Sequence, residues 1–213
     1  PRWRKSRADA QMAKTPQSML DDIKNPEHTK KMQDFPEDAA VKFNNVSRIF
    51  AVPGGGFMIA VRNVSFHVPE GALVGLLGHN GAGKSTLLNT MWGHLAPSDG
   101  EIIVNGHSVV TKLGEARRSM GNCPQQNVLF ENLSPFELLT ALANLGGVQD
   151  VEKHVKYLLK SMMLTPKKDE MIAKLSGGNQ RRLAMAMAFA SPHRPIVILD
   201  EPTTGLDPNT RRE

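Results

Sequence analysis

Gly78-His79-Asn80-Gly81-Ala82-Gly83-Lys84-Ser85 is the stretch that decides the fold of this sequence. It fits the pattern Gly-x-x-x-x-Gly-Lys-Ser/Thr, a loop that surrounds phosphate groups. An apolar run at residues 72–77 predicts a fully buried strand before the loop, and residues 84–92 predict a helix after it. Glycines let main-chain N–H groups turn inward, and a helix N-terminus adds partial positive charge. This order predicts a phosphate site in which Lys84 reaches the β- and γ-phosphates and Ser85 ligates Mg²⁺.

Two carboxylates follow a second apolar run, at residues 196–199. The run predicts another buried strand, which ends at Asp200 and Glu201. Ligands of open α/β sheets bind at the carboxyl ends of strands, so we expect Asp200 to hold Mg²⁺ through water. Glu201 would orient or deprotonate the attacking water. By itself the pair could also be a simple strand-end cap, but beside a phosphate loop it predicts the second half of one site.

A serine and two glycines open a further predicted helix, in the stretch Leu175-Ser176-Gly177-Gly178-Asn179-Gln180. They predict a second phosphate-binding helix N-terminus. One chain does not need two such sites for one nucleotide. Two copies or halves packed head to tail would use both, so the pattern predicts a paired assembly.

The remaining pattern alternates strands and helices. Strands with one exposed face are predicted at 41–46 and 61–68, with a turn at 53–56 between them and a further strand at 101–104. Helices are predicted at 135–145, 151–163 and 179–190. Ser134-Pro135-Phe136-Glu137 predicts a capping box at the start of the first of these helices. The alternating Met and Ala residues of the last helix predict buried core.

Together these motifs resemble the ATPase domain of ABC transporters, in the order of that family, over residues 41–213. The resemblance implies that Phe50 stacks on adenine, although a strand-packing aromatic is the alternative. Gln125 resembles the glutamine of the Q-loop, with Gln126 as its neighbour, and Asp207 resembles the aspartate of the D-loop. The remaining residues implied to contact ATP or its magnesium are Gly78, Asn80, Gly81, Ala82, Gly83, Lys84, Ser85, Thr86 and Asp200. Ser176, Gly177, Gly178 and Asn179 resemble the signature motif that closes on the partner's ATP, and Glu201, Lys84 and Gln125 resemble the catalytic set.

Within the family, the sequence is most similar to the A subfamily, large eukaryotic transporters that often carry lipids. The resemblance favours the first of their two ATPase domains. It implies ATP and Mg²⁺ as cofactors, and a second ABC ATPase domain and transmembrane domains as partners. The expected location is the cytoplasmic face of a membrane. The family's switch histidine is expected beyond residue 213, and the fragment alone is expected to be inactive.

The charge is concentrated at the start of the chain. The net charge is +5, and residues 1–31 hold eight Lys/Arg against four acids, so the rest is nearly neutral. This distribution argues against nucleic acid as a partner. The cluster of Arg2, Trp3, Arg4, Lys5 and Arg7 is either a solvated tail or the cytoplasmic flank of a transmembrane helix. The single cysteine, Cys123, excludes an internal disulfide and indicates a small, partly buried hydrophobic side chain.

The sequence therefore predicts an α/β fold: a P-loop ATPase core with an antiparallel β subdomain and an inserted α-helical subdomain, truncated at the C-terminus. Residues 1–40 are expected to be a basic polar linker that follows a membrane domain. Residues 41–213 form the ATP-binding domain, with the helical subdomain at about 126–190. Two other functions stay open: a soluble ABC ATPase that acts on a nucleic-acid or ribosome machine, and a regulatory site that binds nucleotide without hydrolysis.

Overall fold

A computed structural model describes residues 17–24 and 35–204 of the 213-residue chain. Two compact units divide the chain, Pro1–Arg118 and Ser119–Glu213. None of the helices in the described residues is both long and apolar enough to cross a membrane. The basic cluster near the N-terminus and Asp207 both lie outside the described residues.

Helices and strands are mixed in both units. The elements of the first unit are α1 (Gln17–Lys24), β1 (Val41–Ala51), β2 (Phe57–Val68), α2 (Lys84–Met91), β3 (Asp99–Val104), β4 (His107–Ser108) and α3 (Leu113–Arg118). The elements of the second are β5 (Met120–Cys123), α4 (Pro135–Leu145), α5 (Val151–Ser161), α6 (Gly177–Ala188) and β6 (Ile196–Leu199), with single 3-10 turns at Thr165–Lys167 and Ile172–Lys174. The predicted helices and strands are therefore present, apart from the strand at 72–77, which is treated below.

The first unit is built on a four-stranded antiparallel sheet with the strand order β2-β1-β3-β4. β1 pairs with β2 from Val41 opposite Val68 to Ala51 opposite Phe57, with irregularities in between. β1 also pairs with β3, where Val41 is opposite Val104. The predicted strands at 41–46 and 61–68 are confirmed but are longer than expected, because pairing continues to the glycine-rich turn that joins them. This sheet is the predicted antiparallel β part of the fold.

The prediction of a buried strand at residues 72–77 is wrong for this structure. The segment forms no strand, and its leucines are exposed: Leu73 is 101% exposed and Leu77 is 92% exposed. An apolar run becomes a buried strand only when neighbouring strands pair with it and both faces are covered. The sheet of the first unit is antiparallel and does not include this segment. Apolar composition alone could not supply those neighbours.

The second unit combines a two-stranded parallel sheet with helices. β5 and β6 pair in register from Met120 opposite Ile196 to Cys123 opposite Leu199. A core of aliphatic side chains joins α4, α5 and α6. The predicted capping box is confirmed: the Ser134 side chain accepts from the Glu137 N–H, and the Glu137 carboxylate accepts from the Ser134 N–H at 2.8 Å. This box starts α4 at the predicted residue.

Two expectations about burial need correction. The strand β6 was expected to be fully buried, but of its four residues only Ile198 is buried, and Leu199 is 37% exposed. The reason is that, among the described residues, β6 pairs with β5 alone. Cys123 was expected to be partly buried, but it is completely buried. It packs against Ala184 and Ala188 of α6, two of the residues predicted to form core.

Candidate functional site

The glycine-rich loop ends at Gly83, directly before α2. Gly83 has a φ of +87°, and a side chain there would overlap the carbonyl oxygen of Ala60 in β2. Only glycine fits this conformation beside a neighbouring backbone. No side chain caps the N-terminus of α2. The N-terminus of a helix carries partial positive charge and favours anions, which is the property on which the predicted phosphate site depends.

Lys84 folds back over the loop. Its Nζ donates to the carbonyl oxygen of Gly78 at 2.8 Å and to that of His79 at 3.1 Å. The predicted Mg²⁺ ligand Ser85 and its neighbour Thr86 are half-buried in the first turn of α2, whereas Asn80 and the rest of the loop tip are exposed. An ammonium group held by two carbonyl oxygens at the mouth of an exposed loop is placed to exchange them for phosphate oxygens, which bind it more strongly.

The parallel pairing of β5 and β6 places the carboxyl ends of both strands at the same edge. Gln125 follows β5 and Glu201 follows β6, and the Gln125 Nε2 donates to the Glu201 Oε2 at 3.0 Å. The Asp200 N–H donates to the carbonyl oxygen of Cys123 at 2.9 Å, so the sheet continues by one residue. The structure thus brings together Gln125 and Glu201, two residues 76 positions apart in the sequence. This contact favours Gln125 over Gln126 as the residue of the site.

Glu201 has an unusual backbone. Its φ is +46°, in the left-handed region that a residue with a side chain occupies only at a cost. Its carboxylate is exposed and also accepts from the Thr204 Oγ1 at 3.2 Å. Thr204 was not predicted; its place three residues after the carboxylate, in a turn, is the only signal in the sequence. A strained residue at the end of a strand is common at functional sites.

The start of α6 matches the second predicted phosphate-binding helix. Ser176 is its N-cap, and the Ser176 Oγ accepts from the Asn179 N–H at 3.3 Å. Ser176 and Gly177 are exposed, Gly178 is half-buried, and the first turn of the helix has no acidic residue. A side chain at Gly177 would meet nothing within 4 Å. Nothing in the described part of this chain therefore demands glycine there, which leaves room for a ligand or partner to approach.

Sequence reasoning missed Arg181, on the same helix. Arg181 is buried, with 2% of its surface exposed. Its acceptors are the main-chain oxygens of Pro124 (2.6 Å), Gln125 (3.2 Å), Asp200 (2.7 Å), Glu201 (2.8 Å) and Pro202 (3.0 Å), and the Asn127 Oδ1 (3.1 Å). The signal was available, because Arg181 lies three and seven residues before the buried Ala184 and Ala188 and so shares their face of the helix.

Phe50 lies near the end of β1 and is half-buried. The Arg48 guanidinium lies over its ring, 4.7 Å from the ring centroid, and the Arg48 Nη1 donates to the Ala96 carbonyl oxygen at 2.8 Å. Burial lowers the pKa of Arg48 from its ordinary value. One face of the ring is therefore in contact with a cation. Adenine stacking by Phe50 stays a prediction, beside the alternative that the ring packs only within the sheet.

The predicted residues fall into two groups. Phe50 and the phosphate loop belong to the first unit, and Gln125, Asp200, Glu201 and the Ser176–Asn179 turn belong to the second. The described residues hold no group of three or more His, Cys, Asp or Glu side chains that could bind a metal ion by themselves.

Comparisons with known sequences point to one family. The phospholipid-transporting ATPase ABCA3 of Rattus norvegicus is 37% identical, over 83% of this chain and 10% of that protein. The retinal-specific phospholipid-transporting ATPase ABCA4 of Homo sapiens is 35% identical, over 97% of this chain and 9% of that protein. The cholesterol transporter ABCA5 of Homo sapiens is 36% identical, over 84% of this chain and 11% of that protein. The chain thus spans about a tenth of the length of these relatives.

Comparisons with solved structures point to the same family as the sequence comparisons. The dimeric structure of a post-hydrolysis state of the ATP-binding cassette MJ0796 bound to ADP and Pi is similar with a TM-score of 0.72 and 28% identity, over 81% of this chain and 78% of that chain. A second dimeric structure of MJ0796, described as a bacterial ABC transporter cassette, has a TM-score of 0.73 over the same shares. The ABC transporter family itself matches residues 61–204, more than half of the sequence. This chain belongs to the ABC transporter family and is one of its ATPase domains.

Proposed function

We propose that this domain binds ATP with Mg²⁺ and uses its hydrolysis to drive the transport of a lipid across a membrane. The observation that carries the proposal is the hydrogen bond between Gln125 and Glu201 at the ends of two parallel strands. It joins the residue that resembles the Q-loop glutamine to the expected catalytic base. The names of the relatives, two phospholipid-transporting ATPases and a cholesterol transporter, support lipid as the substrate class.

Binding rests on the phosphate loop. The loop offers main-chain N–H groups and the Lys84 ammonium, which exchanges two carbonyl oxygens for phosphate oxygens. Mg²⁺ prefers oxygen ligands and keeps few protein ligands beside phosphates and water, so the Ser85 hydroxyl, the Gln125 amide and the Asp200 carboxylate fit it. When bound, the ion neutralises charge that develops on the phosphates.

Hydrolysis rests on Glu201, which accepts a proton from the attacking water. Gln125 and Thr204 both donate to its Oε2, so the carboxylate is held in one position before any nucleotide arrives. The exposed Ser176 and Gly177 bind the γ-phosphate of a nucleotide held by a second ABC ATPase domain, since the N-terminus of a helix carries partial positive charge and binds anions. Turnover therefore requires two such domains packed head to tail, in a protein that also has transmembrane domains.

The test is Glu201→Gln in the complete protein. ATP binding should persist while turnover falls by roughly 10²–10⁴-fold, the usual contribution of a general base. Glu152→Gln is the matched control, because Glu152 is exposed and its pairing with Lys156 lies on the surface of α5. Turnover within a few-fold of normal would remove Glu201 from the mechanism. ATP binding without any turnover by the unaltered protein would instead favour the regulatory site.

A further inference from the structure

Arg181 links three segments that the proposed mechanism uses. It lies five residues after Ser176, the N-cap of α6, and its side chain is completely enclosed. Three of its acceptors lie after β5, on Pro124, Gln125 and Asn127, and three lie after β6, on Asp200, Glu201 and Pro202. A single guanidinium therefore bonds to the ends of both parallel strands from the helix that carries the signature turn.

The hydrogen-bond acceptors of Arg181 indicate that this side chain holds the backbone in position. Five are main-chain carbonyl oxygens, so the bonds hold the course of the backbone and leave the carboxylate of Glu201 and the amide of Gln125 available. The carbonyl of Glu201 belongs to the residue with the left-handed φ of +46°. A conformation of this kind persists only where its surroundings hold it. The bond from the Arg181 Nη2 to that carbonyl, at 2.8 Å, supplies part of this restraint.

Lysine could not replace this group. Arginine carries five N–H donors in a rigid plane, whereas lysine carries three donors on one atom. The acceptors of Arg181 are distributed over Nε, Nη1 and Nη2. An ammonium group would reach one of the two strand ends and leave oxygens of the other without a donor. The geometry therefore depends on the shape of the guanidinium as well as on its charge.

We propose that Arg181 is a positioning residue for ATP hydrolysis, which keeps Glu201 and Gln125 in register with each other and with the start of α6. The inference rests on the proposed function, since it requires Glu201 to act in turnover. The 3.0 Å bond between Gln125 and Glu201 requires both strand ends to be held at once, and Arg181 bonds to both of them. A shift of about 1 Å in such a group can cost on the order of 10²-fold in rate.

The test compares Arg181→Lys with Arg182→Lys in the complete protein. Arg182 is the next residue on α6 and is only half-buried, so it is a matched control. For Arg181→Lys, kcat should fall by roughly 10–100-fold while the KM for ATP stays within about threefold, because positioning acts on chemistry and not on binding. Arg182→Lys should keep kcat within about twofold.

A purely structural role predicts another result. The number of ATP-binding sites per protein would fall in parallel with turnover, and turnover per bound nucleotide would stay normal. That outcome, or a kcat for Arg181→Lys within threefold of the unaltered protein, overturns the proposal. The turnover of Glu201→Gln is measured beside these variants. Normal turnover of Glu201→Gln means that the proposed function has failed, and this result is distinct from a failure of the inference about Arg181.

A second variant covers the case in which Arg181→Lys does not fold. Asn127 is exposed and accepts from the Arg181 Nη1 at 3.1 Å. Asn127→Ala removes this one acceptor without opening a cavity, so the protein should fold and kcat should fall at least threefold with an unchanged KM. An unchanged kcat for Asn127→Ala in that case overturns the proposal.

Discussion

Gly121 is a point of close approach between β5 and the helix α6, and it offers a sharp test of the packing of the second unit. A Cβ atom at Gly121 would overlap the carbonyl oxygen of Ala188 and lie 2.9 Å from its carbonyl carbon. Both partners are backbone atoms, one in a strand and one in the last turn of a helix. Neither can rotate away, so Gly121→Ala has to push the two elements apart.

The size of the effect follows from these distances. Carbon atoms pack best at about 3.5–4.0 Å, and the carbonyl oxygen of Ala188 lies closer to the added Cβ than its carbonyl carbon does, so the strand and helix must separate by roughly 1 Å or more. Overpacking of this kind costs typically 1–3 kcal/mol, and the rigid backbone on both sides places Gly121→Ala near 3 kcal/mol. For a chain of this length that corresponds to a fall of roughly 6–12 °C in the unfolding midpoint.

Thermal unfolding of the 213-residue chain, followed by circular dichroism, measures this fall. Gly114→Ala is the matched control: it lies in α3, and a Cβ there would meet nothing within 4 Å. Alanine is the better helix former, so this variant should gain about 0.5–1 kcal/mol. A midpoint for Gly121→Ala within 2 °C of the unaltered chain would refute the close approach of β5 and α6.

Two further predictions concern the signature turn and the cysteine. Gly177→Ala should not lower the unfolding midpoint, because the added Cβ meets nothing in the described chain and alanine is the better helix former. Phosphate release by the complete protein should fall on the order of tenfold or more, because the methyl group blocks the approaching nucleotide. Normal release would mean that no ligand approaches there. Burial raises the pKa of the Cys123 thiol, so the native chain at pH 8 should react with iodoacetamide far more slowly than the denatured chain. The unfolding midpoint should also fall as the pH rises above about 8.5, the pKa of the thiol in the unfolded chain, because only the unfolded chain then loses the proton. The Cys123→Ala variant should lack this contribution to the fall. Equal labelling of the native and denatured chains would contradict the burial.

Some features could be predicted from the sequence because they depend on neighbours along the chain. The capping box at Ser134, the phosphate loop and the serine N-cap at Ser176 each consist of residues three to eight positions apart, and local hydrogen bonds determine their form. Periodicity located the helices and the antiparallel strands for the same reason. The placement of Asp200 and Glu201 after a strand also followed from pattern alone.

Tertiary structure decided what depends on residues far apart in the chain. Residues 72–77 and β6 are both apolar runs, but the partners available for pairing determine whether such a run is buried, and these cannot be read from its composition. Gln125 was predicted from the sequence with Gln126 as the alternative, and its contact with Glu201 appears only in the tertiary structure. The position of Arg181 on the face of Ala184 and Ala188 indicates burial, but the sequence does not show which acceptors its guanidinium meets. The ends of β5 and β6 meet in the folded chain, although Gln125 and Glu201 are 76 positions apart in the sequence. Only this meeting surrounds the Arg181 guanidinium with carbonyl oxygens and makes its burial favourable.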